Sequence, residues 1–225
     1  MLARVPGVEG PGGVLVMAEN WVLYRNEGHP EVRAPLPRRE HLPVGRGTLL
    51  VCCALFQQKV SEDGRSDVQD RFFYLVQSEY GDLYKITLDF NASHVHDLTV
   101  KYFDTIPTAT TLHITKHGML LATSEVGDQC VWRGVFTRSC FYQFVGLGED
   151  DAAETSFSSF LAPDGSVQVP VFSPRALTNL KPLDVIPSLS PMLKLHAEDL
   201  RGDGAPQLYA LCGRGSRSSL RVLQQ

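Results

Sequence analysis

One short string recurs at a fixed distance and limits what this chain can fold into. Leu75-Val76-Gln77-Ser78-Glu79-Tyr80-Gly81-Asp82-Leu83-Tyr84 and Leu121-Ala122-Thr123-Ser124-Glu125-Val126-Gly127-Asp128 both run from an apolar stretch into Ser-Glu-x-Gly-Asp. Glu79 and Glu125 lie 46 positions apart, as do Gly81 and Gly127. Val16-Met17-Ala18-Glu19-Asn20-Trp21-Val22-Leu23-Tyr24 is a weaker copy. A fourth is Tyr209-Ala210-Leu211-Cys212-Gly213-Arg214-Gly215 leading into Ser219-Leu220-Arg221-Val222-Leu223. Gly-Asp or Asn supplies the positive φ of a tight turn, so each copy reads as an antiparallel hairpin. A hairpin repeating at about 40–50 residues, with a weaker strand pair between copies, is the pattern of a four-stranded propeller blade.

The rest of the chain agrees. No dozen-residue segment has helical apolar spacing or a capping box. Short runs rich in β-branched and aromatic residues recur instead, bounded by Gly, Pro, Asn and Asp. They are Val14–Met17, Thr48–Cys53, Phe72–Gln77, Leu83–Leu88, Thr111–Ile114, Met119–Ala122 and Gln207–Leu211. Their continuous apolarity predicts strands buried on both faces, as stacked blades require. The fold class expected is all-β: part of a β-propeller of four-stranded antiparallel blades, WD40-like in its repeat.

Three segments break the pattern. Glu19 and Glu79 lie 60 positions apart, longer than one blade, and the excess falls in residues 57–70, a polar stretch read as a loop. Residues 145–155 combine Gly146-Leu147-Gly148 with Glu149, Asp150, Asp151 and Glu154 and read as a second loop. The stretch from Pro30 to Arg46 holds four prolines and four arginines and reads as a linker.

Composition narrows the function classes. With 43% hydrophobic and 20% charged residues the chain can bury a sizeable core. A net charge of −4 argues against a surface that wraps nucleic-acid phosphates throughout. The five cysteines are odd in number and irregular in spacing, which suits buried, reduced thiols better than a disulfide framework. Met1 to Gly7 shows no positive segment followed by an apolar one, so no signal peptide is expected. No run nears the roughly 18 apolar residues of a membrane span.

Sites for chemistry are sparse. His94-x-His96 with Asp97 puts two imidazoles on one face of a strand, but no third His or Cys lies near in sequence, and solvated side chains at a turn are expected. The neighbours Cys52 and Cys53 point to opposite faces of a strand and make no chelate. There is no Gly-x-Ser-x-Gly elbow, and no Ser, His and acid share a telling spacing. Gly10-Pro11-Gly12-Gly13 neither follows a strand nor opens a helix, so it is no phosphate cradle. The expectation is a chain with no catalytic residue, no metal site and no cofactor. The local charge that stands out is Arg214, Arg217 and Arg221, on or beside a Gly/Ser turn. It reads either as a solvated hairpin tip or as a grip for a partner's carboxylate or phosphate.

Several longer strings occur together: Lys101-Tyr102-Phe103-Asp104-Thr105-Ile106-Pro107, Gly81 to Leu88, Pro174-Arg175-Ala176-Leu177-Thr178-Asn179-Leu180, Ser188 to Leu193, and the eighteen residues Pro206 to Leu223. In order and along nearly the whole chain they resemble the splicing factor 3B subunit 3 family, and Pro37-Arg38-Arg39 fits it too. Its superfamily also holds the large subunit of the damaged-DNA-binding protein and the largest subunit of the cleavage and polyadenylation specificity factor. The resemblance implies a nuclear, non-catalytic scaffold of the splicing factor 3b complex in the U2 small nuclear ribonucleoprotein, acting in pre-mRNA splicing. The implied partners are other subunits of that complex, chiefly the large helical-repeat subunit, with RNA touched at most indirectly and neither membrane nor small-molecule substrate involved. A ubiquitin-ligase or damaged-DNA adaptor, or a nucleic-acid-binding module of the same superfamily, is the alternative.

The resemblance further implies a chain of about three propellers, of which these residues would be a fragment, a truncated gene model or a partial paralogue. Residues 1–187 would be later blades of the first propeller and 188–225 the start of the second. One departure from the family is the segment 130–140, an apparent insertion ahead of Phe141-Tyr142-Gln143-Phe144.

Overall fold

The fold was described from a computed structural model. It covers the chain apart from residues 9, 44, 58–71, 92–93, 116, 125–137, 149–152, 162–164, 188–191, 201, 203, 205–206, 214 and 224–225. Among the described residues there is no α-helix, and hence none long and apolar enough to cross a membrane. The chain is a succession of antiparallel meanders.

The first sheet runs β1 (Leu2–Arg4), β2 (Val14–Ala18), β3 (Trp21–Arg25) and β4 (Val32–Pro35), in that order across the sheet. After the two-residue β5 (Arg38–Arg39), the second sheet runs β6 (Leu50–Gln57), β7 (Phe72–Ser78), β8 (Asp82–Asn91) and β9 (His94–Thr105). The third begins with β10 (Thr111–Ile114), β11 (Met119–Thr123) and β12 (Arg138–Phe144). The chain then turns back. β13 (Glu154–Ser156) joins the outer edge of β9, and β14 (Val171–Phe172) pairs in parallel with β5. β15 (Leu180–Pro187) completes the third sheet beside β12. A last sheet, β16 (Met192–Glu198), β17 (Gln207–Cys212) and β18 (Ser219–Leu223), has three strands.

Packing makes the first three sheets blades. The side chains of β7 are buried along its whole length, and successive residues serve two different cores. Phe72, Tyr74 and Val76 join Leu15, Met17, Val22, Tyr24 and Ala34 of the first sheet. Phe73 and Leu75 join Leu112, Leu120, Tyr142 and Leu180 of the third. The period-2 alternation of a strand thus feeds both faces of the central blade. Each fully buried Leu or Val contributes about 1.5–3 kcal/mol relative to exposure. The expected two-sided burial holds for β7 but not for β2 and β11, where buried and half-buried positions alternate. Those strands lend one face to the shared cores.

The repeated turn is a hairpin turn as expected. Ser78 to Asp82 joins β7 to β8, with Gly81 at φ 88°. Asn20, at φ 63°, serves the β2–β3 turn, and Gly213, at φ 88°, the β17–β18 turn. The turn of the second copy, residues 125–128, lies outside the described residues.

Two readings need correction, and a third concerns a segment that is described only in part. The Pro30–Arg46 stretch is not a plain linker, because it contains β4 and β5. β4 hydrogen-bonds to β3 alone, so a proline at its end removes no ladder partner and hides the strand from its composition. The 145–155 stretch contributes Glu154 and Thr155 to β13, a strand too short to have a readable period. Within 130–140, Arg138 to Cys140 belong to β12, where Cys140 pairs with Ala122 and Val185. The remainder of that segment, and of 57–70 beyond Gln57, lies outside the described residues.

Candidate functional site

Three polar seams set the geometry of the molecule. Gln77 is fully buried, and its amide hydrogen-bonds in every direction. Nε2 donates to the carbonyls of Gly81 (3.2 Å), Ile106 (3.3 Å) and Pro107 (3.1 Å). Oε1 accepts from the Ala109 N–H at 2.8 Å and from the Cys52 thiol at 3.6 Å. One side chain therefore ties the repeated turn to the crossover from β9 into the third blade. Burial of this depth is tolerable because both ends of the amide are satisfied.

Asp104, also fully buried, sits at the middle of the Lys101–Pro107 string. Its Oδ1 accepts from Thr178 N (3.1 Å) and Thr178 Oγ1 (3.2 Å). Its Oδ2 accepts from Asn179 N and Leu180 N, both at 2.9 Å. Two of the strings that carry the family resemblance, Lys101–Pro107 and Pro174–Leu180, are thus each other's binding partners across blades two and three.

The third seam lies at the β7–β8 turn. Asp82 is fully buried and receives Arg39 Nη1 at 3.0 and 3.1 Å and Thr105 Oγ1 at 2.7 Å. Burial pushes its carboxyl upward, against the pull of Thr105 and Arg39. The guanidinium groups of Arg39 and Arg46 both lie over the Tyr80 ring, at 5.8 and 5.5 Å. Arg46 also reaches Glu79 at 3.7 Å. Beside this cluster is an open cavity of about 270 Å³, lined among others by Trp21, Leu36, Arg38, Arg46 and Val169. Arg38 there donates to the carbonyls of Leu42 and Pro43. These groups position and hold backbone, and none forms a nucleophile–base pair. Arg39 and Asp82 are 43 positions apart, so no local sequence pattern links them.

The candidate contact residues fall on the last hairpin. Arg214 lies outside the described residues. Arg217 closes a single 3-10 turn, Gly215–Arg217. Arg221 is exposed on β18, opposite Ala210, and its Nε donates to Ser219 Oγ at 3.2 Å. The structure thus puts Arg217 and Arg221 on one hairpin.

The histidines are arranged differently from expectation. His94 and His96 lie on β9, not in a turn, and both are exposed. The fold brings His29 from the first blade beside them, 65 positions away in sequence, with 2.9 Å between the Nδ1 atoms of His29 and His94. Among the described residues, no group of three or more His, Cys, Asp or Glu side chains is assembled around a metal position. Cys52 is buried, and its thiol is pushed up to about 12, chiefly by desolvation. That suppresses the thiolate and its reactivity.

Comparison with known proteins agrees with this architecture. Spliceosome-associated protein 130 A of Arabidopsis thaliana is 44% identical over 225 residues, all of this chain and 17% of that protein. Splicing factor 3B subunit 3 of Danio rerio is 40% identical over 227 residues, covering 99% of this chain and 17% of the relative. The probable splicing factor 3B subunit 3 of Dictyostelium discoideum is 39% identical over 233 residues, again all of this chain and 17% of the relative. The chain therefore spans about a sixth of the length of these relatives. Residues 1–177 match the family described as the RSE1/DDB1/CPSF1 first beta-propeller, and it is to this propeller family that the chain belongs.

Proposed function

We propose that these residues act as a rigid, non-catalytic platform in pre-mRNA splicing, as part of a splicing factor 3b assembly of the U2 small nuclear ribonucleoprotein. The observation that carries this reading is collinearity: relatives named as splicing factor 3B subunit 3 align with the chain from end to end at 39–40% identity. The seams at Gln77, Asp104 and Asp82 suit the role, because they hold consecutive blades in one arrangement from which loops are presented. The partners are the other subunits of that complex, chiefly its large helical-repeat subunit, and the compartment is the nucleus. Residues 1–187 act as blades of the first propeller and 188–225 open a second. Arg217 and Arg221, with Arg214, contact a partner's carboxylate or phosphate groups from the last hairpin.

Affinity purification of the tagged chain from nuclear extract tests this. Splicing factor 3b subunits are expected in the eluate. Recovery of cullin-ligase or cleavage-and-polyadenylation components in their place overturns the assignment.

A further inference from the structure

The Pro30–Arg46 stretch carries four arginines, and the fold engages them unequally. Arg39 is held by the buried Asp82. Arg33 lies over the Trp21 ring at 5.3 Å. The two acids of the stretch are engaged elsewhere: Glu31 pairs with Arg25 at 3.0 Å, and Glu40 lies 3.7 Å from His41. Arg38 and Arg46 are left, and both line the cavity of about 270 Å³ beside the β7–β8 turn.

Arg38 is fixed in place without being neutralised. Its backbone N–H donates to the Pro170 carbonyl at 2.9 Å, and its Nη2 donates to the carbonyls of Leu42 and Pro43 at 3.1 and 3.2 Å. Among the described residues no carboxylate lies within ion-pair distance of it. Arg46 has the 3.7 Å contact to Glu79, and its side chain is 57% exposed. A guanidinium held by neutral carbonyls presents a fixed fork of N–H donors, the geometry that fits a carboxylate. The opposite wall is apolar, built from Trp21, Pro35, Leu36 and Val169. No acid lines the cavity among the described residues, although the whole chain carries a net charge of −4.

Size and aromatic geometry choose among anions. Sites for cofactor-sized ligands span about 300–1,000 Å³. This cavity is smaller and open, and it suits the side chains of a peptide. Bases of a single-stranded nucleic acid need an aromatic face to stack on. The Trp21 ring is already engaged, by Arg33 over it and by Phe160 meeting it at 86° with centroids 5.7 Å apart.

We propose that this cavity docks an extended acidic segment of a protein partner, which gives a carboxylate to Arg38 and Arg46 and an apolar side chain to the wall of Trp21, Leu36 and Val169. The charge complementarity rests on the cavity alone, so the proposal stands or falls independently of the splicing reading.

The test is surface plasmon resonance on the immobilised full chain, which separates peptide binding from association between copies. The probe is the peptide acetyl-Asp-Glu-Leu-Phe-Asp-Glu-amide. Three comparisons accompany it: the same peptide with Asn and Gln for its acids, the same with Ser for Leu and Phe, and an oligouridine RNA. Saturable binding of the probe is expected, weakening as NaCl rises from about 50 to about 500 mM. Both altered peptides should bind at least about tenfold more weakly. Arg38→Gln should weaken the probe by a similar factor. Val169→Asp leaves the Arg38 bonds in place, puts a carboxylate into the lining and should do the same. Arg25→Gln, outside the lining, should change nothing. No saturable binding up to about 1 mM overturns the proposal. So does equal binding of an altered peptide, tighter binding of the RNA, or probe binding that survives both Arg38→Gln and Val169→Asp.

Discussion

Asp104 and Asn179 bind each other's chain reciprocally across the second and third blades. The Asp104 carboxylate accepts the backbone N–H of Asn179 at 2.9 Å, while the Asn179 amide donates to the carbonyl of Phe103 at 2.8 Å. Asn179 Oδ1 in turn accepts Gly148 N–H at 3.1 Å. All of these groups are buried or partly buried, and the carboxylate holds four donors at once. Asp104→Ala strands those donors and should lower unfolding stability by about 3–5 kcal/mol, the range for breaking a buried charged network. Asp104→Asn keeps one acceptor oxygen and should cost less. Urea denaturation of the two variants against the parent checks the order, and equal costs would contradict it.

Gly81 is the most constrained position of the repeated turn. Its φ of 88° is unfavourable for any side chain, and a Cβ there would sit 2.2 Å from the Ile106 carbonyl oxygen. Gly81→Ala should destabilise by more than about 1 kcal/mol, since it combines left-handed strain with a clash against backbone. Gly165→Ala shares the positive φ, 79°, but meets nothing nearby. It isolates the strain term and should cost less in the same denaturation experiment.

These two sites show what was legible in the sequence. The repeated turn was readable, because Gly and Asp encode a local conformation that needs no distant partner. The strands were readable where apolar runs were long, as in β7 and β8. β6 starts at Leu50, two residues after the apolar run that opens at Thr48, because the backbone N–H of Thr48 is held by the Asn20 side chain. β5, β13 and β14 have two or three residues each and exist only through tertiary pairing. The Asp104–Thr178, Arg39–Asp82 and His29–His94 relationships span 74, 43 and 65 positions. A single sequence contains no signal for pairs of that kind; only the stacking of blades creates them.

Asp82 gives a pH dependence with a definite sign. Its carboxyl is raised above the ordinary value by burial, so the native state holds its proton over a window in which the unfolded chain has lost it. Its contribution to stability is therefore greatest at low pH and declines as pH rises through that window. Asp82→Asn should flatten this part of the stability–pH curve. Arg39→Met removes the guanidinium and leaves a buried carboxylate opposed only by hydroxyls and backbone. It should cost about 3 kcal/mol at pH 7, with the deficit shrinking on acidification as Asp82 takes up a proton. Thermal melts of both variants from pH 4 to pH 8, where about 4 is the ordinary carboxylate value, check the direction. A deficit that grows on acidification would reverse the argument.

Cys52 should be chemically silent in the native chain. Its thiol is pushed up to about 12 and is directed at Gln77 Oε1 and the Ala109 carbonyl, each at 3.6 Å. Cys53, its neighbour, faces the other way, is partly accessible and is raised less. Iodoacetamide at neutral pH, followed by peptide mass spectrometry, should leave Cys52 unmodified until denaturant is added. Labelling of Cys52 at the rate of Cys53 would show that the seam around Gln77 opens readily.

The last sheet presents apolar side chains on both faces. In register, Leu211 stands opposite Leu220 and Tyr209 opposite Val222 on one face, while Leu195 stands opposite Ala210 on the other. Leu195, Leu211, Leu220 and Val222 are 48%, 45%, 62% and 46% exposed. A three-stranded sheet that is apolar on two sides and open at its edges is a template for association. The isolated chain should therefore bind a hydrophobic dye and show concentration-dependent association in sedimentation. Leu211→Lys with Leu220→Lys places two like charges opposite each other on one face and should reduce both signals, leaving the cores around β7 intact. A monodisperse monomer that ignores the dye would mean that these side chains are covered in solution.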